Sequence, residues 1–252
     1  MPLLSVIIPS YNEARTLPLI LQKIVQTPLT NGYEWELIIV DDGSTDETPA
    51  IVREWEQRGL NITGLRHEQN CGKGHAIRTG LQHVTGTHTI IQDADMEYDP
   101  ADIVRLLEYA LQHDCPVVYG SRILGQRLNH HKQTASPVFY WGGRTVTWVT
   151  NLLYGLHLTD EPTCYKLFET SLIKSLPLRC ERFEFCPEVT ALVARRGYDI
   201  PEIAISYAPR SIADGKKINW RDGLEAIWTL LQHAVAPSPD ATHCEALPRS
   251  GA

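Results

Sequence analysis

The feature that most constrains this chain is an alternation running through its first half. Short apolar runs fall at Leu3 to Ile8, Trp35 to Val40, Asn61 to His67, Thr87 to Gln92 and Pro116 to Tyr119. Each has the length and β-branched content of a buried strand. Helical periodicity separates them. Leu17, Ile20, Leu21, Ile24 and Val25 recur at helical spacing after Asn12, a residue suited to cap a helix. Ser44 or Thr45 could cap a second helix reaching Arg58, Gly74 to Val84 forms a third, and Pro100 opens a fourth. Strands that alternate with helices predict an α/β fold, a mostly parallel sheet with helices on both faces. Ligands of such sheets bind beyond the carboxyl ends of the strands. Tyr11, Asp41, Asp42, Asp93 and Asp95 all stand just past such ends.

After Gly120 the alternation stops. Gln126 to Ser136 is polar and reads as a loop, in which His130 and His131 are solvated rather than metal-binding. From Val138 to Leu156 a helical pattern sets Trp141, Trp148, Val149, Leu152 and Leu156 on one face. Those tryptophans either meet a membrane surface or close the open edge of the sheet. Pro187 to Arg196 reads as a helix, Ile200 to Tyr207 as a strand and Asp222 to His233 as an amphipathic helix. Residues 1–236 thus make one domain, with 237–252 a disordered tail.

Charge narrows the function. The formal net charge is −7 with no long Lys/Arg run, which argues against a nucleic-acid partner. Yet Cys115 to Thr159 contains no acid while holding Arg122, Arg127, Lys132 and Arg144. That stretch suits a surface that meets an anion, unless the clustering is chance. The six cysteines are scattered without a C-x-x-C pair, so neither a zinc ribbon nor a disulfide framework is indicated. No signal peptide opens the chain, and no apolar stretch reaches the roughly 18 residues of a membrane span. A reducing cytoplasmic setting is the expectation.

Three loops carry candidate chemistry. In Gln92-Asp93-Ala94-Asp95-Met96-Glu97, alternate residues of an extended segment would aim three carboxyl groups at one point. Their mutual repulsion calls for a hard divalent ion with oxygen ligands, Mg²⁺ or Mn²⁺. The other reading is a solvated acidic turn leading into the helix at Pro100. In Asp41-Asp42-Gly43-Ser44, Asp42 either accepts from a nucleobase or ribose or simply fixes the turn. Asn70-Cys71-Gly72-Lys73-Gly74 places two glycines around a lysine before a helix, but it lacks the full P-loop pattern, so ATP hydrolysis is not supported.

Taken together, Ser5 to Glu13, Val40 to Asp46, Asn70 to Ala76 and Gln92 to Asp95 resemble family 2 of the inverting glycosyltransferases, in order and spacing. The resemblance implies a single Rossmann-like domain of GT-A type, with a nucleotide-sugar-binding half (1–122) and an acceptor-binding half (123–236). It implies that Pro9, Tyr11, Glu13 and Asp42 contact the nucleoside, and that Asp93 and Asp95 hold a metal–diphosphate at a D-x-D motif. Asp93 to Pro100, Gly120 to Arg122, Asn151, Thr159-Asp160 and Tyr207 to Lys217 look like the branch containing dolichyl-phosphate mannose synthase and bacterial polyprenyl-phosphate glycosyltransferases. In that branch Glu97 can be a third metal ligand, while Arg122, Arg210 and, more loosely, Arg144 match positions that hold phosphate. Lys166 stands where the branch usually has arginine.

The implied reaction moves a hexose, mannose or glucose, from a nucleotide sugar such as GDP-mannose to a polyprenyl phosphate with inversion. It would run peripherally at the inner membrane face. Asp95, Arg122 and Asp160 are the expected catalytic residues, with Lys73 and Arg210 adding positive charge. A lipid phosphate is already anionic, whereas a glycan hydroxyl, the alternative acceptor, needs a base. Asp160 is the first candidate base and Glu188 the second. A catalytically silent nucleotide-sugar binding module is the remaining alternative.

Overall fold

The computed structural model describes residues 1–129, 137–209 and 220–236. His130, His131, Lys132, Arg210 and the tail from 237 lie outside the described residues. Among the described residues seven strands form one sheet: β1 (Leu3–Ser10), β2 (Glu34–Asp41), β3 (Ile62–Arg66), β4 (His88–Ile91), β5 (Val117–Ser121), β6 (Lys166–Glu169) and β7 (Glu202–Ala204). Among them run α1 (Leu17–Gln26), α2 (Thr48–Glu56), α3 (Lys73–Leu81), α4 (Pro100–His113), α5 (Arg122–Asn129), α6 (Pro137–Tyr154), α7 (Thr170–Ser175), α8 (Phe185–Arg195) and α9 (Trp220–Val235).

The strand order is β3-β2-β1-β4-β6-β5-β7. The mostly parallel sheet expected from the alternation is present: four of the six pairings are parallel, and β6 runs antiparallel between β4 and β5. Leu4, Val6, Ile7 and Ile8 of β1 are wholly buried, as befits a strand covered on both faces. The chain winds outward from β1 to β3 and returns to the other side of β1 at β4. That reversal makes a crevice at the strands' carboxyl ends.

Several local expectations need correction. Asn12 does not cap α1. It takes a left-handed backbone (φ +52°), and its side-chain oxygen accepts the Thr45 N–H at 2.9 Å. Neither Ser44 nor Thr45 caps α2. Both helices instead begin with a proline, Pro18 or Pro49, in the first turn, where a missing N–H costs nothing. Gln126 to Asn129 belongs to α5 rather than to a loop. The strand β6 escaped sequence reading because Lys166 begins it, and a lysine rarely marks a buried strand.

The aromatic helix also divides differently. Trp141, Trp148 and Leu152 are exposed, which excludes the two tryptophans as closures of the sheet edge. Val149 packs into a second small core with Val146, Ala191 and Leu230, while Leu156 joins the main one.

Candidate functional site

A cleft of about 660 Å³ opens at the carboxyl ends of the central strands. Pro9, Tyr11, Glu13, Asp42, Lys73, Asp93, Asp95, Glu97, Arg122, Arg144 and Asp160 all line it. The site residues expected from the sequence are therefore in one place, apart from Arg210, which is not among the described residues, Asp41, which ends β2 without lining the cleft, and Glu188. Glu188 is elsewhere: its two oxygens accept the Arg179 and Cys180 N–H groups, so it braces a loop and is no base for this cleft.

Backbone-to-side-chain hydrogen bonds between loops build the first wall. After β1 and β2 the turns are stitched reciprocally: the Asn12 N–H donates to Ser44 Oγ (2.9 Å), Glu13 to Thr48 (3.0 Å) and Ala14 to Asp46 (3.1 Å). Asp42 reaches sideways. One carboxylate oxygen accepts from Cys71 N–H (2.9 Å) and contacts His67 Nδ1 (2.7 Å), and the other accepts from Gly72 N–H (2.8 Å). Asp42 thus secures the Asn70–Gly72 loop, a role that neither sequence reading contained. Gly72 needs its hydrogen side chain, because its φ is +98° and a Cβ would strike the Glu181 carbonyl.

The start of α3 is not an open phosphate cradle. The Gly74 and His75 N–H groups donate to the carbonyls of Arg182 and Glu181 at 3.0 Å each, and Asp42 takes those of Cys71 and Gly72. Through this docking Arg182 and Phe183 join the cleft wall. No motif marked either residue, since nothing local announces which distant loop a helix start will accept.

The acidic cluster lies on a turn, not on the extended segment expected. The strand ends at Ile91, and Met96 adopts φ +65°, an uncommon conformation for a residue with a Cβ. Asp95 Oδ1 accepts the Glu97 N–H at 3.1 Å, and Glu97 Oε2 accepts the Tyr207 hydroxyl at 2.6 Å. Lys73 Nζ stands 2.5 Å from Asp93. Burial alone would discharge Lys73, but the Asp93 carboxylate outweighs it and pushes the lysine well above its ordinary pKa. A fixed cation therefore sits against the first acid of the cluster. Asp93, Asp95 and Glu97 all line this cleft, and carboxylate oxygens are the donor type that a hard divalent ion such as Mg²⁺ or Mn²⁺ takes, although among the described residues the three do not bring their oxygens within 4.8 Å of one another.

A second wall joins Arg122 to residues of the second half, and it adjoins the acids through Tyr207, whose ring lies 5.0 Å from the Arg122 guanidinium. Arg122 donates from Nε and Nη2 to the two Asp160 oxygens, 2.8 Å each, and its backbone N–H adds a third bond at 2.9 Å. Burial works against ionising Asp160, yet the Arg122 guanidinium prevails and holds the carboxyl below its usual pKa. Such a carboxylate orients an arginine; it is a poor proton acceptor. Glu202 supports this pair by accepting the Thr159 and Asp160 N–H groups, and Arg144 donates to the Thr159 carbonyl at 2.9 Å. Lys166, aligned by resemblance with a phosphate-binding arginine, is wholly buried, bonded to the Glu161 carbonyl and 4.0 Å from the Tyr119 ring centre. It does not line the cleft.

Comparison with known proteins shows the family and the fold. Residues 5–176 match the family described as Glycosyl transferase family 2. An undecaprenyl-phosphate 4-deoxy-4-formamido-L-arabinose transferase of Edwardsiella ictaluri is 31% identical over 84% of this chain, which spans 62% of that relative's length. A UDP-N-acetylglucosamine–dolichyl-phosphate N-acetylglucosaminyltransferase of Methanococcus voltae is 28% identical, covering 86% of this chain and 90% of its own. A dolichyl-phosphate beta-glucosyltransferase of Trichomonas vaginalis is 29% identical over 92% of this chain and 72% of that one. Among solved structures, glucosyl-3-phosphoglycerate synthase of Mycobacterium tuberculosis superposes with a TM-score of 0.70 at 18% identity, over 94% of this chain and 82% of that chain. The same enzyme has been crystallised with Mn²⁺ and uridine diphosphate, with a TM-score of 0.66.

Proposed function

The chain belongs to glycosyl transferase family 2, and from that premise we propose that it transfers a hexose from a nucleotide-diphosphate sugar to a polyprenyl phosphate, with inversion at the anomeric carbon. The observation that carries the reading is the pairing of the two walls. Asp93, Asp95 and Glu97 line the same cleft as Arg122, which Asp160 holds, and the Tyr207 ring links the two groups, lying 5.0 Å from the Arg122 guanidinium and donating its hydroxyl to Glu97. Three relatives with different sugars share a polyprenyl-phosphate acceptor in their names, which supports the acceptor class more than the sugar.

In this reading Pro9, Tyr11, Glu13 and Asp42 border the nucleoside, and Asp42 acts chiefly by holding the Asn70–Gly72 loop. Asp93 and Asp95, with Glu97 as a third ligand, would hold Mg²⁺ or Mn²⁺. When bound, the ion would neutralise charge on the departing nucleoside diphosphate. Lys73 supplies a positive charge at the same end, and Asp93 keeps it protonated. Arg122 and Arg144 present cationic groups to the acceptor phosphate, with Arg122 aligned by its fork on Asp160. A phosphate oxygen attacks without giving up a proton, so the reaction does not call on Asp160 as a base.

Access to a lipid acceptor is favoured by the outer surface. Helices α6 and α9 pack together, and each turns apolar side chains outward: Trp141, Trp148 and Leu152 on one, Leu224, Trp228 and Leu231 on the other. Among the described residues no helix is long and apolar enough to cross a membrane. These stripes suit shallow insertion at the headgroup boundary. The test is a screen of nucleotide sugars with a polyprenyl phosphate and Mg²⁺ or Mn²⁺, reading lipid-linked sugar by mass spectrometry. A product with one donor is expected; none with any donor would overturn the acceptor assignment.

A further inference from the structure

Beside the donor wall, three residues with soft or borderline ligand atoms come together. His67 follows β3, Cys71 lies in the loop before α3, and His75 stands in the first turn of α3. One ring nitrogen from each histidine and the Cys71 sulfur all lie within 4.8 Å of one another. We propose that His67, Cys71 and His75 form a binding site for a thiophilic divalent cation, Zn²⁺ being the natural occupant, separate from the carboxylate cluster.

The site is held in shape before any ion arrives. Asp42 fixes the His67 ring through Nδ1 at 2.7 Å, so an ion would take Nε2 and displace the Thr79 hydroxyl that meets it at 2.9 Å. The two imidazoles meet edge to face, with centroids 5.0 Å apart. Asp42 also accepts the Cys71 N–H, and the Glu181 carbonyl accepts that of His75. A carboxylate bonded to a metal-binding histidine is the usual outer partner that sets ring orientation. Tetrahedral Zn²⁺ with bonds of ~2.0–2.3 Å needs ligand atoms about 3.4–3.6 Å apart, so closure from 4.8 Å requires only a small shift of the Cys71 loop. Water would complete the four positions.

Ligand type separates this site from the carboxylate cluster. A thiolate with two imidazoles selects Zn²⁺ or Co²⁺, whereas an all-oxygen set suits Mg²⁺ or Mn²⁺. Binding would release the Cys71 thiol proton. It would also tie the end of β3 to both flanks of Lys73, stiffening the loop that borders the donor. Cysteine spacing alone could not reveal such a site, because two of its three ligands are histidines.

The test uses the full chain, stripped with a chelator and titrated with Co²⁺ alone. One equivalent should give tetrahedral visible bands and a sulfur-to-cobalt charge-transfer band, both bleached by Zn²⁺. Cys71→Ser should abolish the charge-transfer band and His75→Gln should weaken Co²⁺ binding at least tenfold, while Asp93→Asn leaves the band intact. Zn²⁺ should raise the melting temperature of the wild-type chain but not of the Cys71→Ser chain. Absence of the charge-transfer band, or its survival in a folded Cys71→Ser chain, would overturn the site.

Discussion

The two walls of the cleft are built by different means. On the donor side, loops that follow parallel strands are joined by short hydrogen bonds between backbone N–H groups and small polar side chains: Asn12 to Ser44, Thr45 to Asn12, Gly72 to Asp42. On the proposed acceptor side, the contacts are a charged fork between Arg122 and Asp160 and the packing of α6 on α8 and α9. The first wall is a fixed frame in which each bond is modest. The second concentrates its electrostatics in one pair and leaves apolar surface outside. The donor frame should therefore lose chemistry when its acids change, and the acceptor wall should lose stability or membrane contact.

The largest effect is expected at the acids. Asp95→Asn keeps the shape of the side chain and removes a charge from the cluster. Loss of a group that stabilises a departing diphosphate should lower turnover by about 10³-fold or more. Transfer rates with saturating donor would measure it, and circular dichroism should show an unchanged fold. A loss confined to the donor KM would mean that Asp95 only binds.

Next comes the fork. Removing one member of a buried pair strands the other, so Asp160→Asn should destabilise the chain by about 3 kcal/mol in urea unfolding. The Asp160 pKa is lower folded than unfolded, so its stabilisation is full above the ~3.9 of an unfolded aspartate and is lost as the pH falls through the lowered folded value. The variant should therefore have a flatter stability profile below that pH. It should retain some transfer, with a raised acceptor KM. Complete loss of transfer with intact donor binding would instead identify Asp160 as a base and a hydroxyl as the acceptor.

How much of this was legible follows the same division. The donor wall was read correctly as a location: the Asp42, Lys73 and Asp93 loops converge because strand ends in a parallel sheet converge, and hydrophobic periodicity reveals strands. Its wiring was not legible. Asp42 bonds to a loop some thirty residues later and α3 docks on the Glu181 and Arg182 carbonyls, both consequences of packing rather than spacing. In the second half, β6 was missed because it opens on a lysine, whose burial depends on two contacts no motif announces, a hydrogen bond to the Glu161 carbonyl and the Glu161 carboxyl 3.8 Å away. The outward face of α6 was only partly foreseen, since helical periodicity finds an apolar stripe without saying which side meets the core.

The exposed stripes give the third comparison. Trp148 and Trp228 are 64% and 61% exposed, so replacing both with serine should change stability by no more than about 0.5 kcal/mol per site. Vesicle co-sedimentation should weaken by roughly tenfold per tryptophan if each buries its ring in the lipid boundary, since 1.4 kcal/mol corresponds to a factor of ten. An unchanged vesicle affinity would remove the stripes from the membrane argument without touching the cleft.

The smallest expected effects separate the walls most cleanly. Ser44→Ala deletes the oxygen that accepts the Asn12 N–H, and Thr147→Ala deletes the one that accepts the Glu161 N–H at 3.1 Å. Ser44→Ala loses that one bond, and Thr147→Ala also loses the hydroxyl's donation to the Gly143 carbonyl at 2.9 Å, at about 1 kcal/mol per bond, or roughly fivefold in an equilibrium constant. Neither hydroxyl is assigned to the reaction itself, so kcat should hold. What differs is where the loss is felt. Ser44 fixes the turn that carries Tyr11 and Glu13, so its removal should raise the donor KM severalfold and leave the acceptor KM alone. Thr147 ties α6 to the segment bearing Asp160 and Glu161, so its removal should do the reverse. Equal shifts in both constants for either variant would mean that the cleft moves as one body and that the two walls are not independent.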